Sequence, residues 1–118
     1  MARILLLDSN EQRAQALAAF LMSARHSVTV CAAKLRGLHE LESAEVPFDI
    51  VILDLTENGN EDWHALDLIR RAEGLAMAAP MILCISSAYR GAQFRLRVER
   101  RGARLAYVRN LCACGGRN

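Results

Sequence analysis

The chain has 118 residues, 53% of them hydrophobic and 5% aromatic, with a formal net charge of +2 at pH 7. That length makes one domain, able to bury an aliphatic core without staples, and the near-neutral balance gives no reason to expect a nucleic-acid partner. No apolar run approaches the ~20 residues that a membrane span needs, and Arg3 followed by four apolar residues and then Asp8 does not make a signal peptide.

Residues 3–7 read as a first strand, closed by Asp8. Residues 10–26 read as a helix, with Ala14, Leu17, Ala18 and Leu21 as its apolar stripe and Ser9-x-x-Gln12 as a capping box. Residues 27–32 alternate as a second strand, and Leu35, Leu38 and Leu41 give the stripe of a short helix over 35–43. Pro47 precedes a third strand, 48–54, which stops at Asp54. A polar loop, 56–62, leads to a helix over 63–73 ended by Gly74. Pro80 opens a fourth strand, 81–86, followed by Ser87. Residues 92–101 alternate like a strand in Phe94, Leu96 and Val98, but a parallel crossover calls for a helix there. Residues 105–108 form a fifth strand, stopped by Arg109. Residues 110–118 read as an irregular tail within the same domain, 1–118.

Continuous apolar runs of this kind suit strands buried on both faces of a parallel sheet. Parallel strands gather their last residues along one edge, where open α/β sheets place their chemistry. Asp8, Asp54, Ser87 and Arg109 would meet there.

Cys31 and Cys84 lie in apolar runs and read as small core residues. Cys112 and Cys114 lack further ligands at a metal-binding spacing and read as an incidental feature of the tail. This cysteine usage points to a reducing cytoplasm.

In order along the chain, Ile4-Leu5-Leu6-Leu7-Asp8-Ser9-Asn10-Glu11, Asp49-Ile50-Val51-Ile52-Leu53-Asp54-Leu55, Ser87-Ala88-Tyr89, Gly102-Ala103 and Arg109 resemble the receiver domain of bacterial two-component response regulators. The resemblance implies a flavodoxin-like α/β fold: an open parallel five-stranded sheet in the order 2-1-3-4-5 with helices on both faces. It implies a signalling module rather than an enzyme, with Asp54 as phosphoacceptor and a histidine kinase or other signalling protein as partner. By the same resemblance Mg²⁺ would be held by Asp8, Asp54 and the carbonyl of Thr56, while Ser87 and Arg109 would stabilise the phosphoryl group.

Several positions depart from the family. Ser9 stands where a second acid is usual, which weakens the Mg²⁺ site. Arg109 replaces a lysine, and Asn110 the proline after it. Ala106 takes the place of the switch aromatic, with Tyr107 beside it and facing the other way. The loop after Asp54 is longer than the family's, and its Glu57, Glu61 and Asp62 read as solvated. These departures support a second reading, a phosphorylation-independent pseudo-receiver acting as a protein-interaction or dimerisation module. No Gly-rich phosphate loop follows the first strand, which argues against a nucleotide binder.

The fifth helix of receivers is missing or truncated here, so the bare face would be covered by a longer chain or by a second copy in a homodimer. Arg90, Arg95, Arg97, Arg100, Arg101, Arg104 and Arg109 crowd the last third and read as a solvated face rather than a nucleic-acid patch.

Overall fold

The computed structural model describes residues 1–55, 60–73 and 80–108. The strands are β1 (Arg3–Leu7), β2 (Ser27–Cys31), β3 (Ile50–Asp54), β4 (Met81–Ser86) and β5 (Arg104–Tyr107). They alternate with α1 (Glu11–Ser23), α2 (Lys34–Ser43), α3 (Asn60–Glu73) and α4 (Ala92–Glu99). Every strand pair is parallel and the sheet order is β2-β1-β3-β4-β5, as expected.

Side chains of successive strand residues point to opposite faces. Leu5, Leu7, Val51, Leu53, Ile82, Cys84 and Leu105 therefore form one core with Trp63 and Leu66 of α3 and Val98 of α4. Ile4, Leu6, Ile52 and Ile85 form the other, against Ala14, Leu17 and Ala18 of α1. Burying each such aliphatic side chain contributes roughly 1.5–3 kcal/mol, so the central strands β1 and β3 carry much of the stability.

Two details of the helices differ from expectation. The cap of α1 is Asn10, whose side chain accepts the Arg13 N–H, while Ser9 is exposed. α3 starts at Asn60, three residues before Trp63, because Asn, Glu and Asp are residue types favoured at a helix start. The ambiguous segment is indeed helical. Val98 is fully buried and Phe94 partly so, four residues apart, while Leu96 between them is 38% exposed.

α2 lies very close to the sheet. A Cβ at Gly37 would run into the side chain of the fully buried Leu7, so a larger residue there would force that side chain or the helix to shift. Gly102, at φ 79°, makes the left-handed turn between α4 and β5.

Candidate functional site at the carboxyl ends of the strands

Leu7 of β1 is in register with Leu53 of β3. The next residue of each strand, Asp8 and Asp54, thus stands at the same level on the two central strands. Both are fully buried, at 0% exposure. The expected meeting of these two acids at the rim of the sheet is present.

A third side chain lies between them. Arg13, in the first turn of α1, is buried at 7% exposure. Its Nη2 donates to Asp8 Oδ1 at 2.7 Å and to Asp54 Oδ2 at 2.6 Å, and its Nε donates to Asp8 Oδ2 at 2.8 Å. The guanidinium is thus forked on Asp8 and bridged to Asp54 by a single nitrogen. Charge-assisted contacts of this length are among the stronger protein hydrogen bonds.

The local sequence explains why Arg13 is held there. Asp8 Oδ1 also accepts the Asn10 N–H at 2.9 Å, turning the chain out of β1. Asn10 Oδ1 then accepts the Arg13 N–H at 2.9 Å and caps α1. The Arg13 side chain returns to Asp8, closing a loop of contacts over residues 8–13. A cation in the first turn of a helix is disfavoured by the helix dipole, and the two carboxylates offset that.

The other rim positions behave differently. Ser86, the last residue of β4, is buried, and its hydroxyl donates to the Ala88 carbonyl at 2.9 Å. Ser87 is exposed. Ala106 is half-buried. Tyr107 packs on the α2–α4 side of the sheet, where its ring lies 5.5 Å from that of Tyr89 and the Arg95 guanidinium 5.5 Å from its centre. Thr56, Arg109, Asn110, Glu57, Cys112 and Cys114 lie outside the described residues.

The fold and the strand-end geometry can be compared with known proteins. No protein-family model matches the chain, and no curated protein matches it in sequence. Solved structures do. The chemotaxis protein CheY4 of Vibrio cholerae superposes with a TM-score of 0.72 at 17% identity, covering 92% of this chain and 86% of that one. The receiver domain of the histidine kinase CKI1 from Arabidopsis thaliana, complexed with Mg²⁺ and BeF₃⁻, gives 0.74 at 17% identity over 95% and 85% of the two chains. A response regulator from Burkholderia pseudomallei with a phosphorylated aspartic acid gives 0.73 at 24% identity over 97% and 64%. The chain has the receiver fold.

The residues at the rim do not fit a divalent ion as they are arranged. Mg²⁺ asks for oxygens at ~2.0–2.1 Å in near-octahedral array. Both oxygens of Asp8 and Oδ2 of Asp54 are instead turned onto the Arg13 guanidinium. Ser9, where a second acid is usual, is exposed. Among the described residues no group of three or more His, Cys, Asp or Glu side chains could hold a metal.

Arg13 is not among the site residues expected from the sequence, although the sequence carries a signal for it. Arg13 lies four residues before Leu17, on the stripe that buries α1 against the sheet. A charge at a stripe position needs a buried partner, and Asp8 and Asp54 are the strand-end acids within reach.

In the arginine-rich segment Arg97, Arg100 and Arg104 are exposed, as a solvated face requires, and some of its arginines also lie on aromatic rings or acids. Arg97 sits over the Trp63 ring at 4.0 Å and Arg90 over Phe94 at 5.4 Å, while Arg101 pairs with Asp67 at 3.0 Å. Trp63 and Phe94 are in edge contact at 5.5 Å. Among the described residues, no helix is long and apolar enough to cross a membrane.

Proposed function

We propose that this chain is a non-enzymatic signalling module of the receiver type that works through protein contacts without needing phosphate on Asp54. The observation that carries this reading is the Arg13 guanidinium lodged between Asp8 and Asp54. It already supplies a cation to the two acids, so the pocket is satisfied as it stands. The partner is a histidine kinase or another signalling protein, met on the surface of α4 and β5, where Arg97, Arg100 and Arg104 are exposed, with the exposed Tyr89 in the segment before α4. A homodimer covering the α1 side of the sheet belongs to the same reading and would show as a doubled mass in light scattering.

The phosphorelay reading, with Asp54 as acceptor and Mg²⁺ beside it, is favoured by one observation, the level pairing of Asp8 and Asp54 at the rim. One experiment separates the two. The protein is incubated with acetyl phosphate and Mg²⁺, or with beryllofluoride and Mg²⁺, and examined by intact mass and by NMR. The interaction reading expects neither a phosphoryl adduct in the mass spectrum nor shifts at the rim. An adduct abolished by Asp54→Asn would establish the phosphorelay reading instead.

A further inference from the structure

We infer that Arg13 is a resident cation that excludes divalent metal from the rim, and that taking it away exposes a divalent-cation site on Asp8 and Asp54. The inference rests on the receiver reading of the pocket given above, but not on whether Asp54 ever carries phosphate.

Three observations carry it. One nitrogen, Arg13 Nη2, lies 2.7 Å from an oxygen of Asp8 and 2.6 Å from an oxygen of Asp54. A single positive centre thus bridges two carboxylates at the ends of adjacent strands and fills the space between them. Secondly, all three side chains are buried, so water offers the carboxylates no alternative partner of comparable strength. Thirdly, the guanidinium is not a long surface side chain that has folded inward. It comes from a helix turn fixed by Asn10, which itself is bonded to Asp8, so the acid that would bind metal also orients the arginine.

A metal ion must therefore break the fork on Asp8 and the bridge to Asp54 before it can bind. It would also leave a buried guanidinium beside a dication, and like charges at that range repel strongly where water is scarce. Removing the guanidinium reverses the balance. Two buried carboxylates at the same level on neighbouring strands would then repel each other and favour a cation between them.

The test reads thermal stability and calorimetric binding of Mg²⁺ and Mn²⁺ with the full chain, for the wild type, Arg13→Gln and Arg13→Gln combined with Asp54→Asn. Arg13→Gln keeps much of the length and polarity of the side chain and removes the charge. The wild type is expected to show no saturable metal-dependent rise in Tm. Arg13→Gln is expected to gain one, with binding tighter by at least ~10-fold, because the metal no longer has to displace a guanidinium held by several charge-assisted hydrogen bonds. The added Asp54→Asn should abolish the gain. Should Arg13→Gln be unfolded in metal-free buffer, recovery of the fold on adding Mg²⁺ supports the inference, and failure to recover at saturating Mg²⁺ overturns it. Metal binding by the wild type as tight as by Arg13→Gln also overturns it, as does a folded Arg13→Gln that binds no metal.

These outcomes are distinct from those of the phosphate experiment. A wild type that takes up phosphate in that experiment but shows no saturable metal binding by calorimetry sinks the interaction reading and leaves Arg13 as the resident cation. A wild type inert to phosphate, together with an Arg13→Gln variant that ignores metal, does the reverse.

Discussion

At the β1/β3 end of the rim, Asp8, Arg13 and Asp54 are buried and joined to one another, whereas at the β4/β5 end Ser87 is exposed and Tyr89 stands 75% exposed against Tyr107. The first half is closed on itself by charge. The second half is open and carries the hydroxyl, the aromatic rings and the arginines of α4. In one fold, the part that would do chemistry is internally satisfied, and the part that would meet partners is left accessible. Stability should therefore be concentrated at one end of the rim and recognition at the other.

The contrast is broken most directly at Asp8. Asp8→Ala removes two hydrogen bonds to Arg13 and the acceptor for the Asn10 N–H, leaving a buried guanidinium short of partners. A loss of ~3–5 kcal/mol is expected in urea unfolding, as for other broken buried ion pairs. A loss near zero would show that the cluster does not stabilise the fold. Asp54→Asn should cost less, ~1–3 kcal/mol, because Arg13 keeps its fork on Asp8.

At the other end the signs and sizes should change. The Tyr107 hydroxyl is buried with no hydrogen-bond partner among the described residues. Tyr107→Phe should accordingly leave stability unchanged or raise it by up to ~1 kcal/mol in the same denaturation series. A marked loss would mean that the hydroxyl does have a partner in solution. Arg97→Gln removes a guanidinium over Trp63 and is expected to lower stability by ~0.5–1 kcal/mol. Smallest of all, Ser87→Ala should fall within ~0.5 kcal/mol of wild type, as exposed substitutions do. If Ser87→Ala proved as damaging as Asp54→Asn, the two ends of the rim would not differ in the way described.

The legible part of the site follows from strand periodicity. Asp8 and Asp54 each close an apolar run, and in a parallel sheet those closures fall on one edge, so their meeting can be argued from the order of residues alone. The capping pattern places the start of α1 one residue early, on Ser9. Both Ser and Asn can cap, and the choice turns on where the chain leaves β1, which the Asp8 bond to the Asn10 N–H decides. Arg13 is hard to see because a lone arginine in a helix that also carries Gln12, Glu11 and Gln15 looks like one more surface polar group. Only the rotation of α1 against the sheet turns it inward.

The alternation of strands and helices, their parallel arrangement and the edge on which the acids fall are written in the order of residues, because hydrophobic periodicity is a local property that each segment carries along its own length. Which charge neutralises those acids depends on how the helix packs against the sheet. An ion pair between a helix and two strands depends on how residues 41 positions apart approach in space, as Arg13 and Asp54 do. No pattern within either segment encodes that distance.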